Sequence, residues 1–331
     1  MVVARHGWSW CRRRAAQGAS YTDRVALSNN SPAAGTLHRL EQFHSAYLAG
    51  DRDVMVWLPP GYDGSDQGFD AEVRDDGSRD GSHDGSRNEL GTFVTNPREE
   101  PPSRTPGQNQ RYPVLYMHDG QNLFDPDTAY QQGNHWRIGE TAPELIAAGR
   151  VEPLIVVGIY NTGLARIEEY TPTKDARLGG GQADRYGRLI VEELKPFIDA
   201  TYRTKPDAAH TGIGGSSLGG LVTLHLGLAY PRVFSRLAVL SPSVWWDRRA
   251  ILRTVRQASP KPPLKIWVDM GTAEGRRGLD DARLLKAALV GAGWSEGQDL
   301  HYAEYEGADH SEGAWAARIG PVLEWLFPVR A

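Results

Sequence analysis

Cysteine is nearly absent: Cys11 is the only one in 331 residues. A single thiol excludes an intrachain disulfide and any cysteine-based zinc cluster. No run of 18 apolar residues occurs, so no transmembrane helix is expected. The longest strongly apolar run, Leu154 to Tyr160, has the length of a strand. An excess of one charge is also missing. Lys and Arg number 37 against 41 Asp and Glu, a formal net charge of −4, and the pI is near 6.2. Such a balance gives no electrostatic reason to propose nucleic-acid binding. Arg12, Arg13 and Arg14 suggest an export signal, but residues 15–21 lack the apolar stretch of about 7–15 residues that must follow. A cytoplasmic protein with neither nucleic acid nor membrane as partner is expected. What is present is 40% hydrophobic residues, enough for the sizeable core of one large domain or two small ones.

Two stretches stand apart from that core. Residues 1–35 read as a disordered N-terminal segment, with the domain occupying 36–331. Residues 64–110 read as a disordered insertion. They contain Asp76-Gly77-Ser78-Arg79, Asp80-Gly81-Ser82-His83 and Asp84-Gly85-Ser86-Arg87, and they end in Pro101, Pro102 and Pro106. Ten acids against five bases place the chain's net acidity here. A calcium loop is a poor reading of the Asp-Gly steps, because it requires converging oxygens and a closing Glu at a fixed offset.

Elsewhere strand and helix patterns alternate. Phe43–Leu48 and Val54–Leu58 read as early strands, followed by Tyr112–His118, Leu154–Tyr160, Thr211–Gly214, Leu237–Leu240, Leu264–Met270 and Leu300–Tyr305. Helical patterns cover Glu140–Ala148, Tyr186–Tyr202, Leu218–Ala229 and Asp280–Ala292. A last one holds Trp315, Ile319, Val322 and Leu326, kinked or restarted by Pro321. The alternation predicts an α/β fold, a mostly parallel central sheet with helices on both faces. Functional residues then belong at the carboxyl ends of strands.

Gly215-Ser216-Ser217-Leu218-Gly219 matches G-x-S-x-G at a strand–turn–helix junction, the context of the nucleophile elbow of an α/β-hydrolase. Ser217 is therefore the expected nucleophile. Ser216 competes poorly, since Leu218 stands where the second Gly would be required. The alternative is a Gly-rich turn that merely packs a helix on a strand. A serine hydroxyl needs a base, and the base an orienting acid, in the chain order Ser, Asp/Glu, His. Of His225, His301 and His310, only His310 follows the carboxyl end of a strand. Glu274 is the first carboxylate beyond the strand ending at Met270, with Asp280, Asp281, Asp309 and Glu312 as alternatives and Asp269 read as structural. The oxyanion donors are expected to be the N–H of Leu218 and that of Gly120 or Gln121. His118 reads as holding that loop rather than as catalytic. Trp245, Trp246, Trp136 and Tyr170 are candidates for substrate contact, although the Trp pair could equally cap the core. Arg166 and Glu169 are candidates for the mouth.

The segments RYPVLYMHDGQNLFDP from Arg111, EYTPT from Glu169, GGSSLGGL from Gly214, SPSVWW from Ser241, VDMGTAEG from Val268 and GADHSEGAW from Gly307 extend the pattern. In them the chain resembles the "putative esterase" family of α/β-hydrolases, which includes enterochelin esterase-like proteins, feruloyl esterases, S-formylglutathione hydrolase and mycolyltransferases. The resemblance covers roughly residues 40–328 and implies a triad of Ser217, Glu274 and His310. Some relatives carry Asp in the acid loop. The resemblance also implies a serine carboxylic-ester hydrolase for a small-molecule ester, working through an acyl-enzyme without metal or organic cofactor. An acyltransferase on the same machinery is the neighbouring expectation, and a non-catalytic binding module on this fold the contrasting one. Neither the sequence nor the resemblance sets an oligomeric state.

Overall fold

A nine-stranded sheet forms the centre of the computed structural model, which describes residues 25–31, 34–62 and 110–329. The strands are β1 (Val25–Ser31), β2 (Gly35–Phe43), β3 (Arg52–Leu58), β4 (Val114–His118), β5 (Ile155–Ile159), β6 (Thr211–Ser216), β7 (Arg236–Leu240), β8 (Lys265–Gly271) and β9 (Leu300–Tyr305). Their spatial order is β1-β2-β3-β5-β4-β6-β7-β8-β9. The first three form an antiparallel meander, β3 runs antiparallel to β5, and every later pair is parallel. The central strands β4, β5 and β7 have no exposed residue, as expected of strands covered on both faces.

The helices are α1 (Ile138–Ala147), α2 (Arg166–Tyr170), α3 (Ala183–Arg188), α4 (Lys195–Thr201), α5 (Leu218–Ala229), α6 (Trp246–Arg256), α7 (Arg276–Gly291), α8 (Glu312–Ala316) and α9 (Ile319–Leu326). On one face α1 and α9 pack together, and Ile319, Val322 and Leu326 join a core with Ala238 and Leu240 of β7. On the other face α5 lies so close to β7 that a Cβ at Gly227 would meet the Leu237 side chain at 2.4 Å. Leu237 and Ala238 point to opposite sides of a strand, so both faces are covered.

Four expectations change. Val25–Ser31, inside the segment expected to be disordered, forms β1; backbone pairing with β2 recruits this polar edge strand without demanding an apolar pattern. Residues 1–24 lie outside the described residues. The expected strand Phe43–Leu48 is instead the end of β2 followed by bends. The pattern over Tyr186–Tyr202 is α3 and α4 joined by a π-helical stretch, Leu189–Leu194. The last helix is interrupted at Ala317 and Arg318, before Pro321; the proline sits in the first turn of α9, where its missing N–H is not needed. The expected insertion 64–110 lies outside the described residues apart from Gln110. All named elements belong to one compact unit.

Between β4 and its two neighbours the connection order reverses, because β5 lies on one side and β6 on the other. Such a switch point opens a crevice beyond the carboxyl ends of the strands. The chain emerges there at Asp119, Ser217, Ser241 and Thr272, and beyond Tyr305.

Candidate active site

Ser217 joins β6 to α5 with φ 59° and ψ −123°. A non-glycine residue in that conformation stores of the order of 1–3 kcal/mol of strain and must be held by its surroundings. Its N–H donates to Leu240 O at 3.1 Å, and its hydroxyl meets that of Ser243 at 3.4 Å. Gly220, the residue after the motif, allows the close approach behind it: a Cβ there would lie 2.8 Å from Leu240 O. The N–H of Leu218, at the first turn of α5, has no acceptor among the described residues.

Glu274 closes a short 3₁₀ turn after β8, and its side chain is buried. One carboxylate oxygen, Oε2, faces His310 Nδ1 at 2.6 Å. The other, Oε1, accepts from Ser241 Oγ at 2.6 Å and from Gly271 N–H at 2.9 Å. Burial pushes its pKa up, but the hydrogen bonds from His310, Ser241 and Gly271 outweigh it, and the carboxyl lies below its usual range. His310 itself is half exposed, with its ring edge on Trp315 at 4.9 Å. No other candidate acid bonds to this imidazole. Asp281 accepts from Arg249 Nε at 2.5 Å, Asp280 has only exposed Arg neighbours at 3.9 Å, and Asp309 accepts from Ser311. Glu312 accepts from Asn122 Nδ2 at 3.2 Å, and burial pushes its pKa up.

Ser217 and His310 line two cavities at once. One, of about 540 Å³, is walled by Pro242, Ser243, Trp245 and Met270. The other, of about 460 Å³, is walled by Asp119, Asn122, Arg166, Ile167, Glu312 and Trp315. Trp245 is thus the one expected aromatic found beside the serine. The other three are elsewhere, each engaged by a distant part of the chain. Trp136 is buried against Trp315 in the core. Trp246 is buried and donates to Thr173 O at 2.8 Å. Tyr170 is buried, and its hydroxyl accepts the N–H of Asp119 at 3.1 Å. Glu169 is not at the mouth either: it is buried in a bidentate pair with Arg52 at 2.8 and 3.0 Å.

The loop after β4 is a second focus. Gly120 and Gln121 leave their N–H groups without an acceptor among the described residues. Gly120 is small for a reason other than ligand approach: a Cβ there would lie 2.4 Å from the Gly158 backbone of β5. Asp119, in the left-handed region at φ 56°, is held by Arg166 through two hydrogen bonds of 2.8 Å. His118 is buried with Nδ1 2.9 Å from the Tyr186 hydroxyl. Burial depresses its pKa to about 3, so it is neutral and serves the loop's packing. His225 pairs with Asp184 and His301 stacks on Trp267, both remote from Ser217 in their contacts. Asn161, which lines the second cavity and donates to Asp119 Oδ1 at 2.7 Å, was missed in the sequence, as were Arg318 and the role of Ser241; only the SPSVWW segment pointed to the last. Among the described residues no cluster of three or more His, Cys, Asp or Glu is placed to hold a metal ion. None of their helices is long and apolar enough to cross a membrane.

A mostly parallel sheet of this order, with a strained serine between strand and helix, is that of the α/β-hydrolase fold, and the relatives that follow make the protein an ester-bond hydrolase. The chain belongs to the family described as "Putative esterase", whose model matches residues 88–326. It is 30% identical to the ferri-bacillibactin esterase BesA of Bacillus subtilis over 68% of this chain and 81% of that protein. Two solved structures share the fold. The BES protein from Bacillus cereus superposes with a TM-score of 0.59 at 20% identity, covering 87% of this chain and 94% of the other. A feruloyl esterase module from Clostridium thermocellum complexed with sinapinate gives 0.59 at 17% identity, covering 93% and 92%.

Proposed function

We propose that this hydrolase is a serine carboxylic-ester hydrolase that works through an acyl-enzyme. Ser217 Oγ attacks the ester carbonyl carbon, and its proton passes to His310 Nε2. The oxygen that becomes negative is met by the N–H of Leu218 and that of Gly120 or Gln121. Collapse breaks the ester C–O bond, and His310 returns the proton to the leaving alkoxide. Water then repeats the sequence, giving up a proton to His310 and releasing the acid and Ser217. Glu274 orients the imidazole and stabilises its charged form. The 2.6 Å contact between His310 and Glu274, on the wall that carries Ser217, is the observation that supports this reading most directly.

The relatives' names favour a small-molecule ester of the siderophore or feruloyl type as substrate. Two cavities meeting at one serine suit an ester with two bulky arms. The test compares Ser217→Ala and Ser216→Ala on p-nitrophenyl esters, a siderophore ester and a feruloyl ester, together with labelling by a serine-directed phosphonate. Ser217→Ala is expected to lose labelling and several orders of magnitude in kcat, while Ser216→Ala keeps measurable turnover. Normal labelling and turnover by Ser217→Ala would refute the mechanism.

A further inference from the structure

Behind Glu274 lies a buried charge layer that the reaction scheme above does not use. Arg318 stands in the break between α8 and α9 and is 1% exposed. Its Nη2 donates to Ser241 Oγ at 2.6 Å and reaches Glu274 Oε1 at 3.5 Å, and its Nε lies 3.4 Å from Asp269 Oδ1. Ser241, held at φ 40°, accepts a second hydrogen bond from Trp315 Nε1 at 3.0 Å. A serine hydroxyl has two lone pairs and one proton. With both lone pairs facing donors, the proton has one direction left, along the 2.6 Å contact to Glu274 Oε1. That oxygen also takes the Gly271 N–H. It is therefore surrounded by donors and has no room for a proton of its own. Oε2 alone is left for His310.

We propose that Arg318 and Ser241 are positioning residues that keep Glu274 ionised and aimed at His310, an inference that rests on the Ser217–His310–Glu274 assignment. The chemistry is that of a cation shared by two carboxylates. Burial raises Asp269 to about 6, with Arg318 opposing the shift. Asp269 also accepts from Trp267 Nε1 at 2.8 Å and from Ser241 N–H at 3.2 Å. The charged and titratable groups around Glu274 are His310 from the loop after β9, Asp269 of β8, Arg318, and Arg277 and Asp281 of α7 across the cavity. Tyr305 of β9 lies against the guanidinium at 5.3 Å. Removing the one buried cation among them raises the proton affinity of Glu274, Asp269 and His310 alike. The acid limb of the kcat/KM profile, which reports the free enzyme's essential base, must then move to higher pH.

The experiment measures kcat/KM from pH 5 to 9 on a small p-nitrophenyl ester for Arg318→Met, Arg318→Lys and Ser241→Ala, with Glu274→Gln alongside. Arg318→Met is expected to raise the acid-limb midpoint by about one pH unit and to lower kcat about 100-fold, with KM little changed. Arg318→Lys keeps the cation and returns the midpoint toward wild type. Ser241→Ala, which leaves Arg318 in place, shifts the limb in the same direction by less and decides the question if Arg318→Met does not fold. Unmoved limbs in the folded variants, with kcat lowered evenly across pH, would reduce Arg318 to a structural strut and overturn the proposal while leaving the triad intact. Wild-type activity in Glu274→Gln would overturn the acid assignment itself.

Discussion

At the scale of the residue, the division of labour between Glu274 and its neighbours is sharp. Glu274→Gln removes the negative partner of His310, and a neutral amide neither stabilises the imidazolium nor fixes its tautomer. A drop in kcat of about 10³–10⁴-fold with folding intact is expected from steady-state kinetics and circular dichroism. Asp281→Asn, which loses only the pair with Arg249, is expected to keep kcat within about tenfold. A large loss there, with little in Glu274→Gln, would move the acid to α7. His118 carries a different signature. It is neutral when folded, with its pKa depressed to about 3 by burial, and the unfolded chain binds its proton near 6.5. The unfolded state therefore holds more protons between those values, and stability falls as the pH drops below about 6.5. The loss from this one residue is about 2 kcal/mol between pH 7 and pH 5. Urea unfolding at both pH values checks it: His118→Gln is expected to be less stable than wild type at pH 7, but to lose about 2 kcal/mol less on acidification. An equal acid loss in both proteins would show that the histidine titrates normally.

At the scale of the element, α2 matters out of proportion to its five residues. Arg166 grips Asp119 from it, Tyr170 accepts the Asp119 N–H, and Glu169 ties the helix to Arg52 of β3 inside the protein. Arg52→Met would leave the Glu169 carboxylate buried without its cation, a loss of about 3–5 kcal/mol. Pairing it with Glu169→Leu removes both charges and is expected to recover most of that loss in thermal unfolding; no recovery would mean that packing rather than charge sets the cost. The same helix shows what was legible and what was not. Ser217 stands out by the G-x-S-x-G motif at a strand–turn–helix junction, and Glu274 and His310 by following the ends of β8 and β9 in the chain order Ser, acid, His, all local signals. The strands β4, β5, β7 and β8 were legible as short, mostly apolar runs. Trp136, Tyr170, Trp246 and Glu169 were misread because their partners, Trp315, Asp119, Thr173 and Arg52, are distant in sequence. An aromatic or a carboxylate near a strand end looks alike in sequence whether it faces a ligand or another helix. Arg318 and β1 were missed on the same ground: a buried ion pair and an edge pairing leave no periodic mark.

At the scale of the whole molecule, the Asp-Gly-Ser stretch between β3 and β4 offers few apolar side chains with which to touch a substrate. Loop-closure entropy grows slowly with length. Replacing Ser65–Gly107 by a short Gly/Ser linker is therefore expected to keep the melting temperature and kcat/KM on a small ester close to wild type. A tenfold fall in kcat/KM with folding unchanged would show the stretch to be a working lid. The two cavities that meet at Ser217 and His310 have a consequence for traffic. On the proposed mechanism, the acyl half stays bonded to the serine on one side while the alcohol half departs from the other. The vacated side is then a berth open to whichever hydroxyl arrives first. Hydrolysis and transfer become two fares on one route, and their ratio is set by what the solution supplies rather than by a change in the protein.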